Sequence, residues 1–343
     1  MAASAGVSPT TVSNLLNGRD GRMLPRTRQR ILRAISELGY QPNLVARQLR
    51  TGEVRTIGLV VPSVANPFWG GFARAVERET LQHDYQILLC NSERDPARER
   101  AYVDELWSSG VRTVIIGSSL PSLEHLEHAM QRGLLLIAFD RESQPDDPPG
   151  LVTVSVDNRL GGLLATRHLL SLGHRRIGFI SGAIATVSRR QRLAGYREAL
   201  GDSGIPFSEE LVWANGGEQG FGDVDSSGRG ELGMRALLRL QHPPTAVVTI
   251  NDMYAIGACA AAREESMRVP EDVSVVGFDD IVLAGLFNPP LTTVRQPLQE
   301  MARYAIDIVR ERGHDEDQAA SVVMAPRLVT RESTSPLPEH LDA

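Results

Sequence analysis

From Ile57 onward, short apolar runs alternate with longer amphipathic stretches, and that alternation leaves few architectures open. The runs are Ile57–Val61, Ile87–Cys90, Val114–Ile116, Leu134–Phe139, Val152–Val156, Ile177–Ile180, Ala246–Ile250 and Val273–Phe278. Between them, helical periodicity marks Phe72–Gln82, Ala97–Ser109, Leu160–Leu172, Arg190–Ser203, Arg229–Leu240, Tyr254–Glu265 and Leu298–Arg312. Strands that read as unbroken apolar runs have both faces buried, the condition of a parallel sheet covered by helices. This many strand–helix units predicts two doubly wound lobes rather than one.

In open α/β sheets a ligand sits beyond the carboxyl ends of the strands. The residues found there are Ser63, Asn66, Phe68 and Trp69 after the first run, and Ser118 and Ser119 after the third. Asp140 and Arg141, Ser181, Asn251 and Asp252, and Asp279 and Asp280 follow later runs. Each alone could be a turn residue or a helix cap. Together, carboxylates, amides, hydroxyls and aromatics suit a polyhydroxylated or nitrogenous small molecule.

Composition narrows the setting. The chain has 343 residues, 42% of them apolar, and no apolar run approaches the ~20 residues of a bilayer span. The first thirty residues lack the apolar block of a signal peptide. Cys90 and Cys259 are its two cysteines and no CxxC occurs, so no disulfide framework is expected. The cytoplasm is the expected compartment.

Charge divides the chain. Residues 1–55 carry nine arginines against Asp20, Glu37 and Glu53, a balance of +6 within a whole of −6. A short basic head on a long acidic body reads as a polyanion-binding module joined to something with another job. In the head, Ser8 suits an N-cap, Pro9 the first helical position, and Asn17-Gly18 a stop. Val12, Leu15 and Leu16 form an apolar stripe, leaving Thr10, Thr11, Ser13 and Asn14 as small polar groups. A second helix, about Pro25 to Leu38, is expected to bury Ile31, Ala34, Ile35 and Leu38 and to show Arg26, Arg28, Arg30 and Arg33. This fits a helix-turn-helix with base-reading side chains in the major groove and arginines on phosphates. The alternative is a small helical domain with a solvated charged face. Asn43 can cap a further helix ending before Gly52, too short to stand alone in water and so expected to order against a partner.

Catalytic readings fare poorly. No GxGxxG or P-loop follows a strand. Gly201-Asp202-Ser203-Gly204 ends a helix and has no triad partners in view. His125 and His128 with Glu124 and Glu127 read as a solvated face rather than a metal site. Asp279 and Asp280 are adjacent, a poor arrangement for a pair of glycosidase acids. No enzyme activity, metal or cofactor is expected.

The strings AGVSPTTVSNLLNG, ILRAISELGYQPNLVARQLRTG and RTIGLVVPSVANPFW resemble the lac repressor (LacI/GalR) family of bacterial transcription regulators. The likeness continues through LLSLGHRRIGFISG, VVTINDMYAIGA, VVGFDDIVLAG, PPLTTVRQP and LVTREST, in the family's order over nearly the whole chain. It implies a small all-α helix-turn-helix head with a hinge helix, then a two-lobed α/β body like periplasmic sugar-binding proteins, with parallel doubly wound sheets. The implied divisions are a head at 1–50 with its hinge at 43–50, a linker at 51–55, a body at 56–335 and a tail at 336–343. Lobe 1 is placed at about 56–154 plus 289–320, and lobe 2 at about 155–288 plus 321–335.

The resemblance also implies roles. Ser8, Thr10, Thr11, Ser13, Asn14 and Asn17, with Ala46, Leu49 and Arg50 of the hinge, face DNA, and Leu49 is the wedge two subunits drive into the minor groove. A palindromic operator with a central CG step follows, because a flexible step yields most easily to a wedge. Ser63, Phe68, Trp69, Ser118, Asp140, Arg192, Asn251 and Asp279 hold the effector, with Phe68 and Trp69 in a loop; whether Phe221 stacks on it is open. Two departures stand out. Pro9 replaces a base-reading side chain, and the first helix is a stub, Met1 to Ala5, expected to lose its contacts with Val12 and Leu16. That stub leads to the expectation of a true start further upstream.

The expected function is a transcription regulator, a repressor acting as a homodimer, without a membrane partner. Its effector is a mono- or disaccharide first, nucleosides or purines second. The alternative is a sugar-binding protein without functional DNA binding.

Overall fold

The structure, a computed structural model, describes residues 2–16, 20–21, 23–39, 54–214, 225–311 and 321–337. Asn17, Ala46, Leu49, Arg50, Phe221 and the hinge expected over 43–50 lie outside the described residues. The chain divides into two compact units, Met1–Val54 and Arg55–Ala343.

The head carries helices α1 (Ala2–Ala5), α2 (Pro9–Leu16) and α3 (Pro25–Glu37). Ser8 caps α2 as expected, its Oγ accepting from the Thr11 amide at 3.1 Å. Ala5, Val12, Ile31 and Ala34 are buried together, and Ala2, Val7, Leu15, Leu16, Met23 and Ile35 pack around them. The stub therefore does form a helix, and Ala5 keeps contact with the core. Gly6 turns between α1 and α2 with φ +58°, and a Cβ there would strike the Arg30 guanidinium. Leu38, expected inside, is exposed because it sits at the C-cap, past the last turn of α3.

The body holds two six-stranded sheets. The first comprises β1 (Thr56–Val61), β2 (Gln86–Asn91), β3 (Thr113–Ile116), β4 (Leu135–Phe139), β5 (Val152–Val156) and β11 (Val322–Met324). Its order is β11-β5-β4-β3-β1-β2, all parallel. The second comprises β6 (Ile177–Ser181), β7 (Val212–Ala214), β8 (Ala246–Thr249), β9 (Ser274–Asp279), β10 (Thr292–Arg295) and β12 (Arg327–Val329). Its order is β12-β10-β9-β8-β6-β7, parallel except for β12 against β10. The helices are α4 (Pro67–Leu81), α5 (Pro96–Ser108), α6 (Glu127–Gln131), α7 (Asn158–Ser171), α8 (Val187–Asp202), α9 (Ser226–Leu238), α10 (Asp252–Glu264), α11 (Val282–Leu286) and α12 (Leu298–Glu311).

Each of the eight apolar runs is a strand to within a residue at either end. Three expectations change. First, β2 is an edge strand with Leu88 and Leu89 exposed, not a strand covered on both faces. Second, β10 belongs to the second sheet and β11 to the first, so 292–295 moves to lobe 2 and 322–324 to lobe 1. Strand pairing fixes lobe membership, and the chain passes between lobes at 157, at 296–297 and at 325–326. Third, α4 starts at Pro67 because Asn66 caps it, its Oδ1 accepting from the Phe68 amide at 3.1 Å. Phe68 and Trp69 are thus on a first helical turn, not in a loop.

Close backbone contact sets α7 against α8. A Cβ on Gly162 would lie 2.2 Å from the Arg192 carbonyl oxygen, and one on Gly195 would lie 2.0 Å from that of Arg159. Only glycine permits this crossing, which fixes where Arg192 emerges from α8.

Candidate functional site

The carboxyl ends of strands from both sheets meet in one cleft. Asn66, Phe68, Trp69, Arg94 and Asp140 line it from the first lobe, and Ser188, Arg189, Arg192, Ile250, Asn251 and Asp279 from the second. Six of the eight side chains expected around an effector come together here: Phe68, Trp69, Asp140, Arg192, Asn251 and Asp279. Ser63 and Ser118 are buried but do not line the cleft.

Arg192 is the hub. Its Nε donates to Asn158 Oδ1 at 2.8 Å and its Nη1 to the Ile250 carbonyl at 2.6 Å. Its guanidinium lies 3.6 Å over the Phe278 ring. Asp140 Oδ1 is 3.6 Å from Nη2, and Asp279 Oδ1 is 4.0 Å from Nη1. Burial lowers the Arg192 pKa; Asp279 and Asp140 act against that shift, while Arg189 and Arg94 add to it. Gln296, at a crossing between lobes, donates to Asp279 Oδ1 at 2.8 Å.

Two contacts close the lobes directly on each other. Ser188 Oγ donates to Asp140 Oδ2 at 3.4 Å, and the Val187 amide donates to the Ser119 carbonyl at 2.8 Å. Trp69 is held edge-on by Phe68 and Phe72 at 5.0 and 5.7 Å, and its ring occupies the space that a Cβ on Gly117 would need. Asn251 caps α10, its Oδ1 accepting from the Tyr254 amide at 3.0 Å.

Backbone strain gathers at the same place. Glu93 and Arg94 both have φ 55°, Asp140 has φ 66°, Asp279 φ 111° and Asp280 φ 55°. Non-glycine residues in this region cost about 1–3 kcal/mol each and persist where the surroundings impose them, often at ligand clamps.

The neighbouring acids have other partners. Asp280 pairs with Arg295 and, at 2.6 Å, with Arg331, which removes it from any pairing with Asp279 as two acids of one reaction. Asp252 is buried, accepting from the Ile281 amide at 2.8 Å and from the Thr293 hydroxyl. Burial, then Asp279, raises its carboxyl well above the ordinary range. His125, expected on a solvated face, turns inward to Glu99 Oε2 at 2.7 Å.

Sequence reasoning missed Arg94. It follows β2, and the strand-end residues singled out in the sequence include none after Ile87–Cys90 or Val152–Val156. Arg189 lies three residues before Arg192, and only the helix phase of α8 shows which of the arginines at 189, 190 and 192 face the cleft.

In the head, Thr10 and Asn14 are exposed and four residues apart, hence on one face of α2, opposite buried Val12. Thr11 and Ser13 are half-buried beside them. Ser8 and Thr11 share a hydroxyl hydrogen bond of 2.8 Å, so Ser8 is engaged as a cap. The arginines of α3 are partly used within the head. Arg28 pairs with Asp20 at 2.9 Å, Arg30 donates to the Ala5 and Gly6 carbonyls, and Arg33 lies 4.0 Å from Glu37.

A polar-faced helix in a basic helical head, followed by a two-lobed body with a charged cleft, defines a class: ligand-binding regulators carrying a DNA-binding module. Residues 1–43 match the model described as bacterial regulatory proteins, lacI family, and residues 166–334 that of the periplasmic binding protein-like domain. The HTH-type transcriptional regulator DegA of Bacillus subtilis (strain 168) is 34% identical over 98% of this chain and 97% of its own. The lac repressor dimer bound to operator and the anti-inducer ONPF is 26% identical, with a TM-score of 0.83 over 97% of each chain. A complex of the transcriptional regulator CelR with cellobiose is 31% identical, with a TM-score of 0.72 over 97% of this chain and 98% of that one. The chain belongs to the lacI family of transcriptional regulators. Among the described residues no helix is long and apolar enough to cross a membrane.

Proposed function

We propose that the protein is a cytoplasmic homodimeric repressor and not an enzyme, and that a sugar-sized effector bound between its lobes sets its affinity for a palindromic operator. The observation that carries this is the buried Arg192–Asp140–Asp279 constellation, drawn from both lobes at strand ends, in a chain whose head presents Thr10 and Asn14 on an exposed helix face. Asp140 and Asp279 accept from hydroxyls or ring N–H groups. Arg192 serves as a fork onto vicinal oxygens. In the head, Thr10, Thr11 and Asn14 read base edges, Asn14 suiting adenine. The segment expected as a hinge, with Ala46, Leu49 and Arg50, adds contact at the operator centre.

Two half-sites call for two heads, which supports a dimer. Apolar side chains left outside in the body favour the same reading: Val282 and Leu286 on α11 are 79% and 77% exposed, and Leu81, Leu88 and Leu89 are exposed beside the β2 edge. A ligand that favours one lobe arrangement by about 1–3 kcal/mol changes operator affinity about 5–150-fold. Loss of DNA affinity on binding, induction, is the expected sign.

The test begins with selection of duplexes bound by the full chain from a random pool. A palindromic consensus is expected. Asn14→Ala should cost about 1–3 kcal/mol and relax preference at one base pair in each half-site. Selection without any consensus overturns the DNA-binding part of the proposal.

A further inference from the structure

A second recess opens at the opposite end of the second lobe. Helix α10 and strand β9 connect it with the interlobe cleft. Asn251 and Asp279 line the cleft, whereas Cys259 and Arg263 of α10 and the turn leading into β9 line the recess. From Asn251 to Arg263 the helix advances about 18 Å at 1.5 Å per residue. The recess is a groove of about 620 Å³, a volume typical of pockets for organic ligands. Every described residue of its lining belongs to the second lobe.

The floor of the groove is apolar. Cys259 is 1% exposed there, and burial pushes its thiol up to about 12, so the group stays neutral and acts as a small hydrophobe. Met267, Val269 and Pro270 continue that surface on one wall, and Pro289 does so on the other.

Charge enters from both walls. On the first, Arg268 and Glu271 belong to a turn closed by Asp272, whose carboxylate accepts from the Arg268 amide, Nε and Nη2 at 2.8, 2.8 and 2.7 Å. On the second, Arg263 reaches from α10 to Asn288, its Nη2 donating to that carbonyl at 2.9 Å while its guanidinium lies 6.0 Å over the Phe287 ring. Glu332 is tied to the same wall, its amide donating to the Pro290 carbonyl at 2.9 Å. Both arginines are held before any ligand arrives, which lowers the ordering cost of binding. Arg268 is already forked by Asp272, whereas Arg263 has no carboxylate partner among the described residues.

An apolar floor between walls that each carry both signs of charge suits an amphipathic zwitterion. A simple anion or cation meets a like charge beside its partner, and an uncharged apolar ligand leaves the charged rim unused. We propose that this groove is a second ligand site, and that it takes a short peptide, about two or three residues long, with apolar side chains. The peptide carboxylate sits on Arg263 and its ammonium group on Glu271 of the facing wall, with the side chains over Cys259, Met267 and Val269. A ligand there touches one lobe alone, so it fills the groove independently of the cleft.

The test is calorimetry with thermal shift on the full chain. The probes are leucine, dileucine, trileucine, and dileucine blocked at one end as its N-acetyl or amide form. Dileucine or trileucine is expected to bind, more tightly than leucine, and blocking either end should weaken binding about tenfold or more. Arg263→Gln should weaken the free peptide by a similar factor and leave the amide form unchanged; Glu271→Gln should do the same for the free amine against the acetylated form. Both side chains are exposed, and ligand-free melting reports whether each variant is folded. Asp279→Ala, in the cleft, should bind the peptides as the parent does. Binding lost in Asp279→Ala but kept in Arg263→Gln puts the peptide in the cleft and overturns the proposal. Equal affinity for free and blocked ends overturns the zwitterion assignment, and leucine binding as tightly as its peptides overturns the peptide assignment. A panel without any response overturns the site itself.

Discussion

The described part of the head closes around the buried side chains of Ala5, Val12, Ile31 and Ala34, whereas the body packs two six-stranded sheets between helices and turns charged residues inward at the strand ends. The head keeps its small polar groups outside, on one face of α2, and spends Arg28 and Arg30 on its own Asp20, Ala5 and Gly6. The body does the opposite: Arg192, Asp140 and Asp279 are all but hidden. One region offers a face to a large partner; the other encloses a small one. Polar residues of similar kinds acquire different uses from the amount of core behind them.

The contrast is sharpest where a core residue is removed. Ile31 is fully buried in a core so small that it has no reserve. Ile31→Ala should cost about 2–5 kcal/mol, enough to unfold the head while leaving the sheets intact. Hydrogen exchange on the full chain would show fast amides over 25–37 and unchanged protection over 56–61. Equal loosening of both would mean the units do not fold separately.

A smaller but sharp loss is expected at the α7–α8 crossing. Gly162→Ala places a methyl group against the backbone of Arg192, and overpacking of this kind costs about 1–3 kcal/mol. Denaturant unfolding should show the body weakened and ligand binding reduced, with operator selection by the head retained. Unaltered stability would mean that the two helices are free to move apart.

The smallest effect concerns pH. His174 is buried, with Nδ1 on Thr245 Oγ1 at 2.9 Å and Nε2 on the Ser335 carbonyl at 3.0 Å; His168 Nε2 meets Thr334 Oγ1 at 2.9 Å. Burial lowers both pKa values from the usual 6.5. The unfolded chain then binds protons first as pH falls, so stability is full above about 6.5 and declines below it. The body's melting temperature should drop between pH 7 and 5, less so in His174→Gln. A flat profile in the parent protein would contradict the burial of these rings.

Much of the body was readable because buried parallel strands must be unbroken apolar runs. What escaped follows from the same logic. Strand β10 contains Thr292 and Thr293, polar letters in a buried strand, since their hydroxyls find Thr334 and Asp252. Strands β7, β11 and β12 have three residues each, too few for a pattern, and the sheet each joins depends on crossings that periodicity does not encode. Leu88 and Leu89 looked internal because hydrophobicity alone does not separate a central strand from an edge. In the cleft, strand ends point to Asp140, Asn251 and Asp279 and the resemblance adds Arg192, whereas Arg94 and Arg189 join the lining only once the fold brings the two lobes together.

The most direct measurement is operator affinity of the full chain, by fluorescence anisotropy, with and without whichever ligand binds the cleft, in the parent protein and in Asp279→Ala. The account predicts a change of about 5–150-fold in the parent and none in the variant, with ligand-free affinity alike in both. Identical operator affinity with and without a ligand that demonstrably fills the cleft would contradict it.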